Sequence, residues 1–244
     1  MKNYLTLSKI NECLTCPFKY KWIYLDKKDY KANKELNFGS FVHAVLEEYT
    51  KCLVRNHKKI DLESFEQSIK WSWGNVYSQI LSQEDYDKAY KIIKSYINRD
   101  IEQENIMSCE SWFNFYINEL LLKVSGKFDR IDKFDNGDGI VMIDYKTGKD
   151  RDIKEDDFGV ILYGYALMEL FPLYKKHKLE YHILESGRII SPPIMDKAEA
   201  RKIIIEKSKL VLDEKEFKPK ENMFCNWCYI KTINQCSVFS KGDI

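Results

Sequence analysis

The sequence predicts an α/β protein whose chemistry sits on a short β-hairpin. Three observations predict it. Residues 126–149, GKFDRIDKFDNGDGIVMIDYKTGK, read as two strands joined by a tight turn. Helical apolar periodicity fills much of the chain before that hairpin and returns after it. Three cysteines then cluster near the C-terminal end.

Composition sets the bounds. The 244 residues are 44% apolar and 32% charged, which excludes a disordered chain and supplies ample core material. Formal net charge is only +1, so any nucleic-acid binding must use a local patch rather than a global field. No run approaches the roughly 18 apolar residues of a membrane span, and no signal-peptide core opens the chain. The expected location is therefore intracellular and cytoplasmic. Seven cysteines in such a compartment read as ligands and core residues rather than disulfides.

Within the hairpin, Asn136-Gly137 is a type I′ signal, because that turn needs positive φ at both central residues. This register sets Asp129 opposite Asp144 and Lys127 opposite Lys146, with all four side chains on one face. Facing carboxylates repel one another, and a hard divalent cation between them converts that repulsion into a binding site. A solvated hairpin of alternating Asp and Lys is the competing reading. Against it stands the apolar run Ile140 to Ile143, which implies a strand covered on both faces with Asp144 and Lys146 emerging at its end.

The remaining elements follow in order. Residues 5–25 open with a possible N-cap at Ser8 and a short helix ended by Cys16-Pro17. Tyr20, Trp22 and Tyr24 alternate there with lysines, as an extended segment anchored on the core or a basic-aromatic surface for stacked bases. Residues 38–56 form an amphipathic helix, with His43 about 130° from the centre of its apolar stripe. Residues 61–79 and 83–104 read as two more helices. Residues 111–124 read as strand with a possible turn at Asn118-Glu119, and Cys109 as a packed residue. Residues 158–170 form an apolar helix carrying the hydroxyls of Tyr163 and Tyr165, ended by Pro172. Residues 174–178, YKKHK, read as a solvated turn, 179–191 as a hairpin about Ser186-Gly187, and 196–213 as a helix.

Cys225, Cys228 and Cys236 form C-x₂-C-x₇-C. Two thiolates on one tight turn with a third nearby read as a metal or cluster site, with the fourth ligand from Cys16 or Cys13. Zinc and an iron–sulfur cluster both suit this spacing.

Several separated stretches together resemble the RecB-like nucleases of the PD-(D/E)XK superfamily: SKINECLTCPFKYKWIY, GSFVHAVLE, GKFDRID, VMIDYKTG, LYGYAL and CNWCYIKTINQC. The closest branch is the one with a four-cysteine iron–sulfur cluster, which includes CRISPR-associated RecB-like nucleases and the AddB nuclease domain. The resemblance implies a restriction-endonuclease-like core, a mixed β-sheet flanked by helices, with a helical insertion and a C-terminal Fe–S-stapled tail. It implies one nuclease domain over residues 1–244: a helical part at about 38–105, a catalytic core at about 110–215 and a cysteine cluster at 225–236 closing with Cys16. By the same resemblance His43, Asp129, Asp144 and the Tyr145 carbonyl hold catalytic Mg²⁺ or Mn²⁺, and Lys146 is the catalytic lysine. Cys16, Cys225, Cys228 and Cys236 hold a [4Fe–4S] cluster, and Tyr163 contacts substrate. The family's Gln four residues before that Tyr is Gly159 here.

The implied activity is metal-dependent DNA hydrolysis, by an exonuclease acting on DNA ends or single strands in recombination, repair or replication. The implied partners are DNA and a helicase or recombination protein. The alternatives are a DNA-binding or recombination-partner module with weak or lost cleavage, and a zinc-stabilised interaction protein.

Overall fold

The computed structural model describes residues 4–55, 62–99, 105–148 and 152–238. The expected helix ends at Asn56, Asp61 and Glu104, and residues 149–151 after the hairpin, lie outside them. In chain order the regular elements are β1 (Tyr4–Thr6), α1 (Leu7–Thr15), α2 (Pro17–Tyr20), α3 (Lys34–Arg55), α4 (Leu62–Asn75) and α5 (Gln83–Ile97). There follow β2 (Ile106–Ile117), β3 (Leu122–Phe134), β4 (Gly139–Lys146), α6 (Phe158–Leu170), β5 (Lys176–Ile183), β6 (Ile189–Ile190), α7 (Lys197–Asp213) and α8 (Tyr229–Thr232). The strands form a mixed sheet in the order β1-β3-β4-β5-β6, with β2 also on β3, so the α/β expectation holds. The chain divides into two compact units: residues 1–33, 114–126 and 198–244, and residues 34–113 and 127–197.

The second unit carries the hairpin. Asn136 (φ 52°, ψ 27°) and Gly137 (φ 90°) adopt the left-handed dihedrals of a type I′ turn, closed by Asp138 N–H donating to the Asp135 carbonyl at 3.0 Å. Pairing runs from Phe134 opposite Gly139 to Arg130 opposite Ile143, the register expected from the sequence. The Phe134 ring lies over Gly139, and a Cβ there would have to displace it. β4 and β5 are parallel, and α6 lies between them in the chain, making the crossover that parallel strands need. Its central residues, Val160 to Leu162 and Gly164 to Leu167, are all buried, as an apolar helix requires.

Packed on this sheet are three helices. Phe41, Val42 and Val45 of α3 are fully buried with Phe65 and Ile69 of α4, Ile93 of α5 and Val141, Ile143 and Tyr145 of β4. Each such side chain contributes about 1.5–3 kcal/mol of transfer free energy. α5 starts at a capping box, where the Ser82 hydroxyl accepts from Asp85 N–H and the Asp85 carboxylate accepts from Ser82 N–H at 2.9 Å. Buried polar groups of the unit include the Arg130–Asp132 ion pair and a chain in which Tyr96 donates to His182 Nδ1 and His182 Nε2 donates to Glu180, both at 2.9 Å. The YKKHK stretch departs from expectation. Lys176–Lys178 pair with Gly139–Val141 as the start of β5, so backbone pairing overrides the solvated appearance of their side chains.

In the first unit β1 pairs in parallel with the start of β3, Leu5 opposite Val124. Thr6, not Ser8, caps α1, its hydroxyl accepting from Lys9 N–H at 3.2 Å. Cys16 is extended and Pro17 opens α2, so the expected break is present. The next segment corrects an expectation. Residues 17–25 are helical, α2 running into a π-helical turn at Lys21–Leu25, and Tyr20 and Trp22 are each only 8% exposed. Their two-residue spacing therefore describes neither an extended strand nor a stacking surface. Phe217 stacks on Tyr20 and Asn222 Nδ2 donates to the Thr15 carbonyl at 3.3 Å, which brings the tail onto the N-terminal helices.

Candidate active site

The site grows from two strands and one helix of the second unit. Period-two geometry places Asp129 on β3, and Asp144 and Lys146 on β4. Tyr145 lies between the last two with its ring on the opposite, buried face, against Tyr96 and His182. Its backbone N–H and C=O face the site. The Tyr145 N–H donates to Asp129 Oδ2 at 3.0 Å, and His43 Nε2–H donates to the Tyr145 carbonyl at 3.0 Å.

α3 supplies His43 from a face separate from its apolar stripe. Gly39, Ser40, His43, Ala44 and Glu47 line a groove of about 520 Å³ together with Glu110, Lys127 and Asp129. Three small residues there keep the groove open, and a Cβ on Gly39 would already lie 3.2 Å from the Thr147 hydroxyl. His43 Nδ1 is 3.3 Å from Asp129 Oδ2, so both ring nitrogens face oxygen acceptors, the arrangement of an imidazolium. Burial alone would lower the His43 pKa, but the bond to Asp129 and the charges of Asp129 and Asp144 outweigh it and raise the pKa above its ordinary value. Asp129 shifts the other way: burial opposes its ionisation, yet His43, the Tyr145 N–H and Lys146 hold its pKa down. Asp144 is pushed up by burial and by the charge of Asp129, against the pull of Lys146. Two neighbouring carboxylates are thus driven apart, a signature of functional sites.

Lys146 forms an ion pair with Asp144, and its ammonium stands 5.5 Å from the ring centre of Tyr181 on β5. Tyr163 packs its ring on Phe113 and Phe128. Burial, with the charges of Asp144 and Asp129, raises its pKa, so the hydroxyl stays neutral. Tyr163 is not among the groove-lining residues, and Gly159 occupies the first turn of α6.

One residue escaped the sequence reading. Glu110 brings its carboxylate within 4.8 Å of ligand atoms of both His43 and Asp129, the sole such metal-capable group among the described residues. Asp144 is not part of that group; it is held by Lys146. Glu110 lies inside β2 with φ 49°, a left-handed conformation that costs a non-glycine residue about 1–3 kcal/mol. It pairs with Lys127 on the neighbouring strand β3.

The cysteines gather in the first unit. Cys16 stands between α1 and α2, Cys225 lies in a short 3₁₀ turn (Met223–Trp227), Cys228 ends that turn, and Cys236 follows α8. Asn222 N–H donates to the Cys225 sulfur at 3.3 Å. Burial raises the Cys236 thiol pKa, and Cys16, Cys228 and Cys225 add to the rise, which places all four in one electrostatic neighbourhood. No three of these sulfurs lie within 4.8 Å of one another. Cys13 differs: buried in α1, its thiol is pushed up to about 11 by burial, then by Glu214 and Cys16, so it remains a packed thiol.

Comparison with known proteins adds three findings. The family model of the PD-(D/E)XK nuclease superfamily matches residues 4–233. A crystal structure of a candidate exonuclease from Eubacterium rectale superposes with a TM-score of 0.59 at 15% identity, covering 100% of this chain and 91% of that one. The SSO0001 structure aligns at a TM-score of 0.41 and 16% identity, over 98% of this chain and 87% of that one, and is too distant to add to the argument. No curated protein sequence matches.

Proposed function

Because the chain belongs to the PD-(D/E)XK nuclease superfamily, we propose that it is a divalent-metal-dependent deoxyribonuclease. In this reading it is an exonuclease that acts on DNA ends or single strands in recombination, repair or replication, alongside a helicase or recombination protein. The observation that carries the reading is the meeting of His43, Glu110 and Asp129 in one groove.

An imidazole and two carboxylates are a donor set that fits Mg²⁺ or Mn²⁺. Asp129, Glu110, His43 and the Tyr145 carbonyl would hold the ion with Asp144, His43 giving up a ring proton to do so. When bound, such an ion supplies Lewis acidity toward the scissile phosphate and lowers the pKa of water. The chain's own residues do the rest. The ammonium of Lys146 orients the attacking hydroxide and stabilises the negative charge that develops on the phosphate. Asp144 holds that ammonium in place, and the Tyr145 N–H keeps Asp129 ionised and aimed.

Cys16, Cys225, Cys228 and Cys236 are assigned to a structural [4Fe–4S] cluster. Four thiolates on one zinc ion would sit about 3.8 Å apart, given Zn–S bonds near 2.3 Å. The resemblance of the sequence to the four-cysteine branch supports the cluster over zinc. A DNA-binding module with weak cleavage is the second reading, favoured by Gly159, which brings no side-chain amide to substrate.

The test is anaerobically purified protein incubated with end-labelled single- and double-stranded linear DNA and Mn²⁺. Wild type should degrade DNA and Lys146→Ala should not, with the fold intact by circular dichroism. A Lys146→Ala protein that digests DNA as fast as wild type would sink the assignment. A brown preparation with broad visible absorbance supports the cluster, and a colourless one containing zinc refutes it.

A further inference from the structure

Resting on the nuclease reading above, we infer that Trp112 is a stacking platform for a base of single-stranded DNA at the edge of the metal groove. Trp112 lies on β2 two residues from Glu110 and is 76% exposed, whereas its neighbour Phe113 turns into the core and is 4% exposed. The core thus makes no use of the indole, although burying a side chain of this size is worth about 2–3 kcal/mol. Among the described residues it is the most exposed tryptophan of the second unit.

Lys127 ties this ring to the groove. Its ammonium lies 5.9 Å from the Trp112 ring centre and also pairs with Glu110, and both Lys127 and Glu110 line the groove that holds His43 and Asp129. An open aromatic face, a cation and the candidate metal ligands therefore adjoin one another. Single-stranded DNA offers the matching pair: a base with a free π face, and a phosphate attached to it. A duplex keeps its base faces stacked inside, so the ring selects single strands and frayed ends. Trp71 gives the internal contrast. Neither ring lines the groove itself, but Trp112 adjoins it through the groove-lining Lys127, whereas Trp71, 64% exposed on α4, serves as the exposed control to which no role in DNA contact is assigned.

The test compares wild type, Trp112→Ala, Trp112→Phe and Trp71→Ala on three labelled substrates: a single-stranded oligonucleotide, the same strand with abasic sites, and a blunt duplex. Cleavage is followed in Mn²⁺ and binding by anisotropy in Ca²⁺. Trp112→Ala should raise KM for the single strand about 5- to 100-fold, the range that base–aromatic stacking supplies, with a smaller change in kcat. Trp112→Phe should keep most of the affinity and Trp71→Ala all of it. Abasic sites should weaken wild type but cost Trp112→Ala little more, since the stacking partner is already gone. Equal KM values for wild type and Trp112→Ala, or an undiminished abasic penalty in the variant, overturn the stacking assignment alone. A wild type that neither binds nor cleaves any of the three overturns the nuclease reading with it.

Discussion

The hairpin groove and the cysteine tail hold their polar groups by opposite means. Around the groove, every candidate ligand is fixed by regular structure: His43 by α3, Glu110 by β2, and Asp129 and Asp144 by paired strands over a dense apolar cluster. The tail from Glu214 to Val238 has only a 3₁₀ turn and the four-residue α8, with Met223 74%, Phe224 56% and Trp227 63% exposed. A segment that buries so little gains from a metal centre, as small structures of this kind do, and that is the role the proposed cluster would fill. On the proposed reading, chemistry belongs to the packed region and fastening to the poorly packed one.

Breaking each side separately tests that contrast. The largest effect is expected for Asp129→Ala, which should lower Mn²⁺-dependent cleavage about 10³- to 10⁴-fold, roughly 4–5 kcal/mol of barrier, while leaving the iron content unchanged. Next comes Asp132→Ala. The side chains of Arg130 and Asp132 are only 3% and 7% exposed, so the change takes the carboxylate counter-charge from a buried guanidinium and should destabilise by about 3 kcal/mol in urea unfolding. Cys225→Ser should act on the other side: loss of the iron chromophore and at least about tenfold faster proteolysis within residues 214–238, near 1.4 kcal/mol. An unchanged spectrum and digestion pattern would remove the fastening role. Glu110→Gln should raise the Mn²⁺ concentration needed for half-maximal cleavage about tenfold at little cost in stability; an unaltered metal dependence would exclude it as a ligand.

The smallest effect concerns pH. Glu180 has its pKa lowered to about 2 by its bond to His182, with Lys178 helping and burial opposing. Because the folded pKa lies below the unfolded one, this stabilisation is fully present above the ordinary glutamate range and is lost as pH falls from about 4.5 toward about 2. Glu180→Gln should flatten the acid limb of the stability curve in that window, read from melting temperatures. A limb as steep as that of wild type would contradict the assignment.

What the sequence disclosed follows the range of the forces involved. Asn136-Gly137 is a local signal, so the turn and its register were legible, and with them the approach of Asp129 to Asp144. From its helix His43 was legible only as a histidine away from the apolar stripe, and the family resemblance alone grouped it with Asp129, because their meeting is a tertiary event. Glu110 stayed hidden because its left-handed backbone has no local cause, being neither glycine nor in a turn. The alternation of Tyr20, Trp22 and Tyr24 misled for the converse reason: helical hydrogen bonds such as Tyr20 N–H to the Cys16 carbonyl at 3.1 Å set that segment, whatever its two-residue pattern.

The Tyr145 backbone works as a common anchor, through the two peptide groups that flank its Cα. Its amide fixes Asp129 and its carbonyl fixes His43, two residues separated by more than eighty positions in the chain. The 3.3 Å separation of the two side chains is therefore referred to one residue of β4, although they come from β3 and α3. In the proposed metal site, the spacing of two ligands would thus depend on the backbone of a single strand residue rather than on two independent loops.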